Sequence, residues 1–365
     1  MLKVLTDGLP KKVLPKGRRV ILWAGFTTIL LLLLTACQNE EQGQEQNGKE
    51  GGEVVVYTSV DQMFSEPVLQ QFEEETGITV HDVYDVEATK TTGLVNRLIA
   101  EKDHPQADVF WNGEFAQTVV LKNEGLLTPY LSPEASDIPD YYIDPDQTWM
   151  GFGGRARILI INQELLEPED YPQSIFELTT SHVPADKIGI AYPLFGTTAT
   201  HAASIYAALS PEGGYRFFQE LQETGLRVVD GNSVVKDMVA SGELVMGLTD
   251  TDDAFLAIDK GDPVEIVFLD QEEDGFGTLV IPNSVAKIKN GPNPQEAQQL
   301  IDYLVSRETE KELLDIGWID LTVRPLEEGE GRLGDMEIRE MEVGFDEIFN
   351  HLERAKEELT EIFVR

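Results

Sequence analysis

From Glu53 onward the chain repeats a single local pattern, a short β-branched apolar run followed by a helical stretch, and that pattern constrains the fold more than anything else in the sequence. Val54-Val55-Val56-Tyr57 is continuous and apolar, as a strand buried on both faces must be. A helix signal over Pro67–Thr76 follows and is closed by Gly77, and then comes the strand Ile78-Thr79-Val80. Thr91–Lys102 places Leu94, Leu98 and Ile99 at helical spacing, and Ala107-Asp108-Val109-Phe110-Trp111 is a third strand. A β-α-β-α-β order implies an α/β fold with a parallel sheet covered by helices. Sites in such sheets form where strands hand over to helices, here at Thr58-Ser59-Val60-Asp61 and Asn112-Gly113-Glu114.

The pattern continues beyond Gly151. Strands are expected at Ile158–Ile161, Lys187–Ala191, Leu244–Leu248, Val264–Leu269 and Thr278–Pro282. Helices are expected at Ala199–Leu209, Tyr215–Thr224, Asn232–Ser241, Thr249–Ile258 and Pro294–Ser306, with a mostly helical tail from Met336 to Phe363 after the Glu/Gly-rich hinge Glu327–Arg332. No 20–50-residue repeat is present, which excludes solenoids and propellers. A length of 365 residues allows about two domains.

Charge narrows the function. Lys plus Arg number 28 against 66 Asp plus Glu, a formal charge of −38. A chain that acidic is a poor partner for nucleic acid, whose phosphates must be neutralised by cations. Five scattered His and one Cys leave neither a zinc cluster nor an internal disulfide.

The first 36 residues run the other way. Lys3, Lys11, Lys12, Lys16, Arg18 and Arg19 precede an apolar segment, Val20–Leu34, that ends in Leu34-Thr35-Ala36-Cys37. This is a signal-peptide layout, and the run is short for a membrane span. It resembles a lipoprotein signal, which implies that Cys37 becomes the lipidated N-terminus. Gln38–Gly52 contains no apolar residue and reads as a flexible tether. The mature protein is therefore expected outside the cytoplasm, held to the cell membrane through the lipid alone.

Val55-Val56-Tyr57-Thr58-Ser59, Phe72-Glu73-Glu74-Glu75-Thr76-Gly77-Ile78-Thr79-Val80 and Ala107–Asn112, followed in order by Gly154-Arg155-Ala156-Arg157, Gly196-Thr197-Thr198 and Asn232-Ser233, resemble the solute-binding proteins of ABC importers, nearest the branch that contains ferric-ion-binding proteins. The resemblance implies a two-lobe, type II periplasmic-binding-protein clamp with a mixed, mostly parallel sheet in each lobe and the ligand in the cleft. It places the first lobe at 53–150 plus about 270–330, the second at 151–269 and a C-terminal helical segment at 331–365. It also implies the importer's membrane subunits as partners, a monomer, and no enzyme activity or resident cofactor.

The family's iron site transfers incompletely. The position of its His is matched by Asp61, its acid by Glu114, and its paired tyrosines fall within Thr249-Asp250-Thr251-Asp252-Asp253, which has no Tyr. Asp61, Glu114, Asp250, Asp252 and Asp253 are candidate hard-oxygen metal ligands, although Asp250, Asp252 and Asp253 equally read as helix-terminal acids. Thr58, Ser59, Arg155, Arg157, Gly196, Thr197, Thr198, Asn232 and Ser233 are candidate anion or ligand contacts, because helix N-termini and guanidinium groups both favour anions. The expected ligand is a metal ion of Fe(III) type, with or without a synergistic anion, and the alternative is a phosphorylated or zwitterionic organic solute. A metal-dependent hydrolase is the lesser alternative, since no nucleophile elbow, phosphate loop or His-Glu-x-x-His is present.

Overall fold

The computed structural model describes residues 51–84, 92–324, 332–333 and 338–363. Cys37, the signal segment, most of the tether and nearly all of the Glu327–Arg332 hinge lie outside the described residues.

The elements in chain order are β1 (Glu53–Thr58), α1 (Gln62–Thr76), β2 (Thr79–Tyr84), α2 (Thr92–Ala100), β3 (Val109–Asn112), α3 (Ala116–Asn123), β4 (Trp149–Asn162), β5 (Ile188–Ala191), α4 (Gly196–Leu209), α5 (Pro211–Glu223), β6 (Arg227–Val229), α6 (Asn232–Ala240), β7 (Met246–Asp250), α7 (Thr251–Lys260), β8 (Val264–Val267), β9 (Val280–Lys287), α8 (Pro294–Leu304), α9 (Arg307–Asp315) and α10 (Phe345–Phe363). The sheet order is β2-β1-β3-β9-β4-β7-β5-β6, with β8 also paired to β4. β1 pairs in parallel with β2 and β3, and β5 with β6 and β7; β9 runs antiparallel to β3 and β4, and β4 antiparallel to β7 and β8. The sheet is mixed, as expected, but among the described strands parallel and antiparallel pairings are equal in number rather than mostly parallel. The reason is that β4 and β9 carry the chain between the two halves of the sheet instead of continuing a β-α-β series.

β4 is the spine. Its first part, Trp149–Ala156, pairs with β9, and Arg157–Ile161 pairs with β7. The sequence pattern exposes only the apolar end of this strand, since Gly151, Gly153 and Gly154 interrupt its beginning. Those glycines answer to close packing. A Cβ on Gly154 would lie 2.4 Å from the Ile281 carbonyl oxygen, and Gly153 has φ +45° at a bulge in the β4–β9 register.

Two apolar clusters fill the molecule. One is built on β1, β3 and β9 with Trp111, Phe115 and Phe152 at its centre, and the other lies under α4 and α5 with Tyr206 and Phe218. α10 reaches both: Phe345 lies 4.5 Å from Phe115 between ring centroids, and Phe363 lies 6.4 Å from Phe218. The tail is helical only from Phe345, and Glu340 ahead of it forms a parallel bridge with Thr278. Helix α9 continues where the sequence suggested an end, because the Ser306 Oγ accepts from the Thr309 N–H and starts a new helix. No helix among the described residues is long and apolar enough to cross a membrane.

Candidate functional site

A cavity of about 420 Å³ opens where β1, β3, β5 and β7 end and helices begin. On one wall, Ser59 follows β1 and its hydroxyl donates a short hydrogen bond to Asn112 Oδ1 at the end of β3. The Gly113 N–H donates to Ser59 Oγ at 3.2 Å, and Asn112 Nδ2 donates to the Glu114 carbonyl at 2.6 Å. Glu114 turns its carboxylate onto the N–H groups of Ala116 (2.7 Å) and Gln117 (3.0 Å), capping α3. Burial pushes its carboxyl upward, and those two N–H groups oppose the shift. Asp61 stands at the start of α1 on the same wall.

The floor comes from the crossing strands. Arg155 on β4 donates from Nη2 to the Gly113 carbonyl at 3.3 Å, lies 3.8 Å from Asp252, and spreads its guanidinium over the Trp318 ring at 5.2 Å. Trp318 is itself fixed by an indole N–H donated to Asn283 Oδ1 at 2.9 Å. A Cβ on Gly113 would lie 3.2 Å from that indole, so the turn after β3 leaves the room the ring occupies.

The opposite wall carries two helix starts. α4 begins at Gly196-Thr197-Thr198 with Phe195 at its cap position, and α6 begins at Asn232 with Gly231 at its own; neither cap side chain accepts a bond from the first turn. Those N–H groups are open to an acceptor in the cavity. Gly196 has φ +54°, and a Cβ added there would meet nothing within 4 Å, so the approach to the α4 terminus is unobstructed.

Between these helices sits Asp250, the last residue of β7. Its Oδ1 accepts from Arg157 Nη1 at 2.7 Å, while its Oδ2 accepts from the Thr197 hydroxyl at 2.5 Å and from Asn232 Nδ2 at 2.9 Å. The Thr198 hydroxyl donates to Asn232 Oδ1 at 3.1 Å. Behind the pair, Arg157 Nε donates to His201 Nδ1 at 3.4 Å, and burial together with the Arg157 charge holds His201 well below the usual imidazole range. Asp252 lies in the first turn of α7, its carboxyl raised by burial and by Asp250 against the pull of Arg155. Asp253 accepts from the Thr249 hydroxyl at 2.9 Å, and burial, with Asp252 and Asp250 nearby, raises it to about 7. Carboxylate oxygens of Asp250, Asp252 and Asp253 lie within 4.8 Å of one another.

Ser59, Asp61, Glu114, Arg155, Gly196, Thr197, Thr198, Asn232, Asp250 and Asp252 all line the cavity. Four other residues expected there do not line it. Thr58 is fully buried and accepts from the Val60 N–H. Arg157 is spent on Asp250, Asp253 is bound to Thr249, and the side chain of Ser233 lies outside the lining. Tyr192, Phe195, Asp230 and Trp318 also line it and escaped the sequence reading. Phe195 offered one signal, a bulky apolar residue where a helix cap is usually Ser, Thr, Asp or Asn.

Comparison with known proteins decides the family. The bacterial extracellular solute-binding protein family matches residues 68–325. The chain belongs to that family. It is 25% identical over 307 residues to iron uptake protein A1 of Synechocystis, covering 80% of this chain and 82% of that one. The ferric binding protein from Campylobacter jejuni superposes with a TM-score of 0.74 at 21% identity, over 86% of this chain and 100% of the other. The periplasmic binding protein AfuA from Actinobacillus pleuropneumoniae, with fructose-6-phosphate bound, gives 0.70 at 21% identity, over 86% and 99%. The fold is therefore the two-lobe, type II clamp, with β4 and β9 crossing between lobes and the cavity between them. This family consists of transport receptors that act outside the cytoplasm, not of enzymes.

Proposed function

We propose that this solute-binding protein serves an ABC importer and that its cleft captures a small organic solute carrying an anionic group, phosphorylated or zwitterionic. One observation carries the reading. Two helix N-termini without side-chain caps, α4 and α6, face the cavity together with Arg155, while Asp61 and Asp252 supply negative charge around the same space. An anionic end fits the N–H groups and guanidinium, and a cationic centre fits the carboxylates. Closure follows if the solute binds both walls at once, since only its extra affinity for the closed form can shift the lobes. The importer's membrane subunits would then read the closed form, with the receptor acting as a monomer tethered through lipidated Cys37.

A second reading, capture of a metal ion of Fe(III) type with a synergistic anion, rests on the 4.8 Å grouping of Asp250, Asp252 and Asp253 and on relatives named for iron. Against it, Arg157 already neutralises Asp250 and Arg155 stands beside Asp252. Elemental analysis after chelation and reloading with Fe(III), run beside calorimetry with phosphonates and phosphate esters, separates the two. Stoichiometric iron that raises the melting temperature supports the metal reading; binding of phosphonates without retained metal supports the organic one. For the anchor, Cys37→Ala releases the protein from the membrane fraction if the lipid holds it.

A further inference from the structure

The cleft wall carries an aromatic feature that an inorganic ion does not require. Phe195 holds the cap position of α4 and is 73% exposed, although it lines the cavity. A phenyl ring left in water at a helix start breaks two local preferences together, burial of large apolar groups and polar capping. Tyr192 lies three residues earlier on the same wall and also lines the cavity. In the first turn of α1, two residues beyond Asp61, Met63 is 74% exposed. A volume of about 420 Å³ falls in the range of organic-ligand pockets.

Resting on the anion-binding reading of this cleft, we infer that its solute is an organic molecule with a planar or hydrocarbon body, seated against Phe195 and Tyr192 while its anionic end occupies the α4 and α6 termini. The mouth of the cleft then selects for the body, and the helix termini select for the charge. Phe195 acts as a specificity-determining residue: it touches the part of the solute that distinguishes one anion from another. Its exposure is the cost of keeping an apolar face available for that contact.

Methylphosphonate and phenylphosphonate share a headgroup and differ only in the body, so they test the inference on the purified full chain. The expected result is phenylphosphonate binding about tenfold tighter than methylphosphonate, a difference of the size that burying one ring supplies. Phe195→Ala should abolish that preference, and Phe195→Leu should keep part of it. Because Phe195 packs little, its replacement leaves the fold intact, and a melting temperature within a degree or two of wild type verifies this. Equal affinity for the two phosphonates, or a preference that survives Phe195→Ala, overturns the inference and leaves the anion-binding reading standing. Failure of both phosphonates to bind overturns that reading and the inference with it.

Discussion

Arg157 Nη1 and Asp250 Oδ1 lie 2.7 Å apart, with the two side chains 1% and 5% exposed, so Arg157 stands behind the cleft wall and neutralises an Asp250 that lines the cavity. Removing one member leaves the other buried and uncompensated, which costs about 3–5 kcal/mol. Arg157→Ala is therefore expected to lower unfolding free energy by that amount and to loosen Thr197 and Asn232, which share Asp250. Urea unfolding checks this. A midpoint within experimental error of wild type would mean that the pair does not hold the wall.

Arg155 and Asp252 behave differently, because they face the cavity and their 3.8 Å separation is a loose pairing. Each is expected to matter for binding more than for stability. Arg155→Ala removes the guanidinium beside the anion site, and Asp252→Ala removes a carboxylate that is 37% exposed. A charge-assisted hydrogen bond contributes about 1.5–3 kcal/mol, so affinity for an anionic probe should fall at least tenfold in Arg155→Ala. For Asp252→Ala, a cationic or zwitterionic solute loses affinity, whereas a simple anion binds as well or better. Titration calorimetry with the two probe types distinguishes these outcomes.

How much of this was legible in the sequence depended on whether a residue's role was local. Strand β1 announces itself because the continuous β-branched run Val54-Val55-Val56 marks burial on both faces, and β3 and β5 because each is a short, largely apolar run in an alternating strand and helix order. Thr197 and Asn232 were legible because a turn followed by a helix places them at an N-terminus whatever the rest of the chain does. Arg157 was not distinguishable from Arg155, since residues two apart on a strand share a face, and which of them meets the cleft and which meets Asp250 depends on β9 and β7, about a hundred residues away. Trp318 illustrates the same limit from the other side. It reaches the cleft only because Gly113 and Asn283, distant in sequence, leave and fix its place. The glycine-broken start of β4 hid a strand, because close backbone approach to β9 took precedence over β propensity.

Asp320 ties stability to pH. It is 3% exposed, its Oδ2 has no hydrogen-bond partner, and burial followed by the nearby Asp252 charge raises its carboxyl to about 7. In the unfolded chain the same group titrates near 3.9. A carboxyl raised on folding stabilises most at pH values below its unfolded pKa, and the contribution is lost as pH rises toward and through about 7. Wild-type protein should therefore lose stability between about pH 4 and 7, with Asp320 supplying on the order of 2–4 kcal/mol of the change. Asp320→Asn, neutral throughout, should flatten that slope, whereas an unchanged slope would remove Asp320 as its source.

Glu310 ties down the bulge in the spine strand β4. Its Oε1 accepts from the Gly153 N–H at 2.6 Å and from the Val323 N–H at 2.9 Å, and its Oε2 lies 3.0 Å from Arg324 Nε, both side chains being 1% exposed. Gly153 is the left-handed residue in the β4 bulge, so one carboxylate joins the bulge to the segment that carries Trp318 and Asp320. Glu310→Ala strands two N–H donors and a buried guanidinium and should cost about 3–5 kcal/mol. Glu310→Gln keeps an acceptor for both N–H groups, and Arg324 retains Asp137 at 3.3 Å, so its loss should be less than half as large. If the bulge sets the angle between lobes, Glu310→Gln should also weaken solute affinity severalfold although Glu310 does not line the cavity. Unfolding and calorimetry on the same two variants separate a purely structural clamp, which changes stability alone, from one that also sets the closure of the cleft.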